Sequence, residues 1–378
     1  MKATVLHTTI CAFLPILLMA ACNAPAKPGD RNFSDTISVS KQDSAIQKNA
    51  VSSMVFVGDV MMGTNFPDSS YVTRDRGRSL FKDCKDIIKS ADLAIANLEG
   101  TLYSGNEGEL RQMTNPKTYY IFRTPGDHVR NLVDAGFDAV GMANNHSNDF
   151  GKTGRRLTLK TLREANIAVS GIKGMAEECI LERNGIKYGF LQFAAACTNT
   201  LNLNDTTEVA LYINRTRKLC DLLIVTFHGG AEGARYTHVN GETEYYVGEK
   251  RGNVREFARF CIDHGADIVV GHGPHVPRAM ELYRGHLIAY SLGNFCTPFR
   301  MTVSGVCGLA PLLEVCVNTT DGHFVSGKIH SFRQQKGAGP RTDSTNEAAR
   351  LISSLTKSDF PDSGLIFNPD GGIIPVQK

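Results

Sequence analysis

The chain reads as an α/β protein with two sheets face to face and helices outside, and three observations predict this. From residue 54 to about 295, strand-like apolar runs alternate with helix-like stretches, the pattern of layered α/β proteins. The runs themselves are short and almost wholly apolar, as buried strands are. Three hairpin patterns interrupt the alternation, and hairpins of that kind suit a two-sheet sandwich.

The strand runs are Met54–Val57, Leu93–Ala96, Ala139–Met142, Leu222–Val225 and Ile268–Val270. Helices are expected over 77–90, 126–135, 153–166, 207–219 and 250–265. Asp127 to Ala135 stops at Gly136 and Arg255 to His264 stops at Gly265; glycine just past a helix is the expected stop signal. The first hairpin, Ile180 to Leu191, turns at Asn184-Gly185, a strong short turn signal. Met280 to Ala289 repeats the design around Arg284-Gly285, and Leu312–Val317 joins Phe324–Phe332 through Asp321-Gly322. No repeat period is visible. Residues 334–378 are polar and rich in Gly, Pro and Ser, which predicts a loosely packed tail that docks one short helix at 345–356.

The 378 residues are 42% hydrophobic and 21% charged, enough to build a substantial core. Net charge is +3, from 41 Lys+Arg against 38 Asp+Glu, with no basic run, so nothing points to nucleic acid. The N-terminus reads as a targeting segment. Lys2 precedes a short apolar core, Ile10 to Ala21, which ends Leu17-Leu18-Met19-Ala20-Ala21-Cys22. Small residues before a cysteine resemble a bacterial lipobox, although Met19 replaces the usual Leu. The expected organisation is a lipoprotein signal over 1–21, a flexible tether over 22–50 beginning at a lipidated Cys22, the α/β domain over 51–333 and the tail over 334–378. That places the protein outside the cytoplasm, anchored by lipid at the bacterial cell envelope. Without Cys11 and Cys22, eight of the ten cysteines remain; no C-x-x-C pair occurs, and no disulfide framework is expected.

Five apolar runs end in side chains able to hold metal. The segments are Gly58-Asp59, Asn97-Leu98-Glu99, Asn144-Asn145-His146, Phe227-His228 and Gly271-His272-Gly273-Pro274-His275. One Asp or His at a strand end is ordinarily a cap or turn residue. Five together, at the strand ends where α/β proteins place their ligands, point to a dinuclear metal centre. Carboxylate oxygen and imidazole nitrogen suit two divalent ions, Mn²⁺, Zn²⁺ or Fe²⁺.

Six motifs in order carry a family resemblance: Gly58-Asp59-Val60-Met61, Ala96-Asn97-Leu98-Glu99, Ala143-Asn144-Asn145-His146, His228-Gly229-Gly230-Ala231-Glu232, Gly271-His272-Gly273-Pro274-His275 and Tyr290-Ser291-Leu292-Gly293-Asn294-Phe295. Over roughly residues 52–332 the chain resembles the CapA family of poly-γ-glutamate capsule synthesis, related to calcineurin-like metallophosphoesterases. The resemblance implies a four-layer α/β/β/α metallophosphatase-like sandwich. It implies Asp59 and Glu99 as carboxylate ligands, one of them bridging, with Asn145, His228, His272 and His275 completing the metal shells. His146 would protonate the leaving atom or serve as a further ligand. Position 61 is Met where metallophosphoesterases carry a first His, Glu99 stands in place of Asp, and the last pair is His-x-x-His.

Other residues extend the expected site. Glu232 could act as a base or orient a ligand; its alternative is an exposed loop residue. Asp149 could hold the His146 ring or cap the following helix. Asn294 stands at another strand end, and Arg123 and Arg235 could bind anionic substrate groups. His128, His238, His264 and His286 read as surface or helix-end residues.

The resulting functional expectation is metal-assisted hydrolysis or transfer at a phosphoryl or γ-glutamyl centre in envelope-polymer metabolism. The expected partner is an anionic polymer or a phosphorylated small molecule. The alternatives are a non-catalytic polymer-binding or scaffold lipoprotein and an extracytoplasmic phosphoesterase or nucleotidase.

Overall fold

The computed structural model describes residues 50–112, 120–195 and 197–377. The expected signal and almost all of the expected tether, Cys22 included, lie outside the described residues. Strand Val51–Val60 shows how the layers arise. Side chains alternate across a strand, so Met54 and Phe56 join Tyr188, Phe190, Leu222 and Ile224 in a core between two sheets. Val55 and Val57 face the other way, onto Ile88, Leu132, Leu159 and Leu162 of three outer helices. Both faces are covered, which is why the run is apolar without interruption.

On one side of Val51–Val60 the first sheet continues in parallel through Leu93–Leu98, Ala139–Gly141 and Ala168–Ser170. On the other side it turns antiparallel through Leu309–Asn318 and Phe324–Gln335 and ends with Gly372–Pro375 and Leu365–Phe367. The second sheet has a parallel centre of Ile186–Ala194, Leu222–His228, Ile268–His272 and His286–Ala289, with Glu178–Arg183 and Met280–Tyr283 as antiparallel edges. Helices Thr206–Arg217 and Val254–Asp263 cover its outer face, burying Val209, Ile213, Phe257 and Cys261 against Leu223, Val225 and Val269. Side chains of Asp205 and Asn253 cap these helices by accepting from the backbone N–H of Glu208 and Glu256. The order of layers is helix, sheet, sheet, helix, as the resemblance implies.

The three expected hairpins form. Asn184 and Gly185 have φ of 52° and 75°, and Arg284 and Gly285 have 52° and 86°, the two left-handed positions of the favoured two-residue turn.

Three expectations need correction. The helix expected over 77–90 is only Lys85–Ser90. Before it, Asp75 accepts from the backbone N–H of Gly77 and Ser79, so side-chain hydrogen bonds make turns there instead. Helix 250–265 begins only at Val254, because Glu249–Gly252 pairs with Glu244–Tyr246 as a small ribbon. Residues 334–377 are not a loosely packed tail. Helix Glu347–Asp359 buries Ala349 and Ile352 in the core between the sheets, and Leu365–Phe367 and Gly372–Pro375 extend the first sheet. Local polarity hid these elements, since each contributes only a few inward-facing apolar residues.

Candidate metal centre

Parallel pairing sets the site. Asp59 lies in register with Asn97 and with Asn294, and His272 with His228. The strand ends of both sheets therefore deliver side chains to one place. Gly58 is required there, since a Cβ on it would stand 2.0 Å from the Gly293 carbonyl oxygen.

Asp59 and Glu99 are both fully buried. Asp59 Oδ1 accepts from Asn97 Nδ2 at 2.8 Å and lies 3.5 Å from His272 Nδ1. Its Oδ2 is 2.9 Å from His275 Nδ1, which also stands 3.0 Å from Asn294 Oδ1. With two acceptors at Nδ1, that nitrogen carries the proton and Nε2 turns toward Glu99. Around Glu99 Oε1 stand three imidazole Nε2 atoms, of His275 at 3.7 Å, His228 at 3.8 Å and His146 at 3.9 Å. His275 has φ of 58°, a left-handed conformation disfavoured for residues with a Cβ.

The electrostatics follow from burial and proximity. Burial opposes charge on Asp59, but the hydrogen bond to His275 and the neighbouring His272 ring hold its carboxyl well below the usual range. Glu99 is pushed up by burial, against the pull of His275 and with Asp59 adding repulsion. Burial opposes charge on His275 too, yet Glu99 and Asp59 raise it to about 10. Burial keeps His228 well below its ordinary value. His146 is raised, because Asp149 outweighs the effect of burial.

Several buried atoms here have no hydrogen-bond partner among the described residues: both Glu99 carboxylate oxygens, His228 Nε2, His272 Nδ1 and Asn145 Oδ1. Unpaired buried polar atoms are costly and call for an explanation. All five are oxygen or imidazole-nitrogen donors of the kind divalent transition metals take. Ligand atoms of Glu99, His228 and His275 all lie within 4.8 Å of one another. The residues fit a metal centre.

A layer of amides supports Asp59 through Asn97. Asn144 Nδ2 donates to Asn97 Oδ1 at 3.1 Å and to the Leu98 carbonyl at 2.8 Å. Gln192 reaches across from the second sheet, donating to Asn97 Oδ1 at 3.1 Å and accepting from the Ala143 N–H at 2.7 Å. Gly141 makes room for it, since a Cβ there would stand 2.1 Å from Gln192 Oε1. Sequence reasoning missed Gln192, whose only local signal is a polar residue inside an apolar strand.

His146 is buried, with Nδ1 2.9 Å from Asp149 Oδ2. The same Asp149 oxygen accepts from the Phe122 N–H at 2.8 Å, and the Phe122 ring centre lies 4.4 Å from the imidazole. Glu232 lies at the edge of the site. Its Oε1 is 2.9 Å from Arg251 Nη2, and its Oε2 is 3.8 Å from His275 Nε2. Arg251 comes from the unexpected ribbon and also escaped sequence reasoning. A cleft of about 380 Å³ opens over the centre; His146, Glu232, His275 and Asn294 line it with Tyr120, Phe122, Tyr246 and Arg300.

Arg123 and Arg235 do not line this cleft. Arg123 is tied into the fold, with Nε donating to Asn65 Oδ1 at 2.8 Å and its guanidinium 5.0 Å from the Phe150 ring centre. Arg235 is exposed in the loop after Glu232. Among the other histidines, His128 is buried rather than superficial, packed at the start of Val129–Ala135.

Residues 53–298 match the family described as bacterial capsule synthesis protein PGA_cap. The chain belongs to that family. Every motif of the centre, from Asp59 to Asn294, falls inside the matched region. The PGA biosynthesis protein CapA of Bacillus subtilis (strain 168) is 30% identical over 265 residues, 65% of this chain and 63% of that protein. The capsule biosynthesis protein CapA of Bacillus anthracis is 26% identical over 266 residues, 66% of this chain and 60% of that protein. The match thus spans less than two thirds of either relative's length. Among solved structures, one titled a novel phosphatase from Mycoplasma pneumoniae aligns with 80% of this chain and 96% of its own, at 15% identity and a TM-score of 0.45. Among the described residues of this PGA_cap family protein, no helix is long and apolar enough to cross a membrane.

Proposed function

We propose that this protein performs metal-assisted hydrolysis or transfer at a phosphoryl or γ-glutamyl centre during capsule-polymer metabolism, tethered by lipid at Cys22 in the cell envelope outside the cytoplasm. The carrying observation is Glu99, a fully buried carboxylate without a hydrogen-bond partner among the described residues, ringed by three imidazole nitrogens at 3.7–3.9 Å. Asp59, Glu99, Asn145, His228, His272 and His275 would hold two divalent ions. Such ions supply Lewis acidity at the scissile group and make water nucleophilic near neutral pH.

The protein's own residues do the rest. Asp149 holds His146 by Nδ1, so Nε2 points into the cleft and its raised pKa keeps a proton available there for the leaving atom. Asn294 and Asp59 fix the His275 ring. Glu232, held by Arg251, borders the place where substrate would lie. Phe122 and Tyr246 line the cleft and limit water.

The test is metal content per chain, then turnover of phosphate esters and of γ-glutamyl polymer. Two ions with turnover on either substrate support the reading. Two ions without turnover favour a second reading, in which the same cleft binds an anionic polymer without chemistry. Met61 favours that second reading, being fully buried and unable to supply the imidazole that metallophosphoesterases have there.

A further inference from the structure

Arg300 stands in the wall of the cleft that holds His146 and His275. Its guanidinium carbon is 4.8 Å from the Tyr71 ring centre and 4.8 Å from the Tyr120 ring centre. Contact with two aromatic rings restrains an arginine and leaves its planar fork of donors to receive an anion. Its Nε is buried and has no hydrogen-bond partner among the described residues. A buried N–H left unpaired costs free energy, and a ligand acceptor would remove that cost. Arg300 also has φ of 64°, a conformation disfavoured for residues with a Cβ.

The wall beside this cation is largely apolar. Phe122, Tyr246 and Met301 supply apolar or aromatic wall, and the acid lining the cleft is Glu232, beside the metal centre. Outside, an exposed Asp68 lies within electrostatic range of Arg300.

We propose that Arg300 is the anion-recognition residue of this cleft, so that the substrate carries a carboxylate or phosphate beside the group that meets the metal centre. The inference rests on the cleft being the substrate site, as the proposed function has it. A chain of γ-linked glutamates offers such a carboxylate on every residue, and a bisphosphate offers a second phosphate. Both anions suit the arginine fork.

The experiment is calorimetric binding to full-length, metal-loaded protein. The probes are a short γ-linked glutamate oligomer and propanediol bisphosphate. The proteins are the parent, Arg300→Gln and Arg300→Met, each with its metal content and melting curve recorded. The expected result is binding to the parent that weakens at least roughly tenfold in either folded variant, the size of one charge-assisted hydrogen bond, with metal content unchanged. Preference for the glutamate oligomer would name a carboxylate, and preference for the bisphosphate a phosphate; either supports the role of Arg300 if the variants lose it. Parent-like affinity in a folded variant, or a metal-loaded parent that binds neither probe, overturns the inference. A parent that takes up no metal overturns the metal-centre reading instead, so the two failures are told apart.

Discussion

Nδ1 of His146 lies 2.9 Å from Oδ2 of Asp149, and this contact decides which nitrogen of the ring faces Glu99. A carboxylate at Nδ1 orients the imidazole and stabilises its charged form. His146→Gln is therefore expected to lower turnover by roughly 10²–10⁴-fold, the usual contribution of a positioned acid, with metal content retained. Asp149→Asn should keep the ring in place but weaken the hold of His146 on its proton, so the alkaline limb of the pH–rate profile, where the acid is deprotonated, should move to lower pH than in the parent. Full-range pH profiles of the two variants check this, and loss of metal in His146→Gln would reassign the residue as a ligand.

Metal uptake should depend on the two carboxylate centres and on the amides behind them. Asp59→Ala and His272→Ala are expected to lose bound metal, measured by elemental analysis. Gln192→Leu removes a support rather than a ligand and should weaken metal affinity by roughly 10–100-fold, as outer partners of metal ligands do. Equal metal affinity in Gln192→Leu and the parent would mean that the amide layer serves packing alone.

Loading should release protons. In the metal-free protein His275 is raised to about 10 by Glu99 and Asp59, after burial has opposed its charge. At pH 7 its ring is thus protonated, and a ligand must give that proton up. Affinity should rise with pH up to about 10. Calorimetry at pH 7 in two buffers of different ionisation enthalpy should reveal release of about one proton per chain from His275. The same shift sets a stability trend without metal. A raised histidine stabilises the fold fully below its unfolded value near 6.5, and the contribution fades as pH climbs through about 10. Melting temperatures of metal-free protein should decline across that window more steeply than those of His275→Gln.

The C-terminal segment should carry stability. Ile352 is fully buried between the sheets, so Ile352→Ala is expected to cost about 2–5 kcal/mol. Denaturant unfolding measures this; a loss under about 1 kcal/mol would be that of a surface change.

Cys22→Ser should move the protein from the membrane fraction to the soluble fraction if the N-terminal motif is a lipidation site. Mass spectrometry of the mature N-terminus provides the direct check.

By itself the sequence determined the layered fold and singled out most of the side chains that converge at the strand ends. Apolar runs ending in Asp59, Glu99, His228 and His272 are legible because a buried strand must be apolar and its polar end residue stands out. The turns Asn184-Gly185 and Arg284-Gly285 are legible because few residues accept left-handed backbone. Tertiary structure alone decided which distant groups meet. Gln192 supports Asn97 from the opposite sheet, Arg251 holds Glu232 from a ribbon that helix-like local pattern concealed, and Arg300 rather than Arg123 or Arg235 enters the cleft. The strands near 365 and 373 are likewise stabilised by a sheet edge distant in sequence. Local chemistry records what a residue must tolerate from its neighbours in the chain. Contacts across two sheets depend on register and packing, which no short stretch of sequence contains.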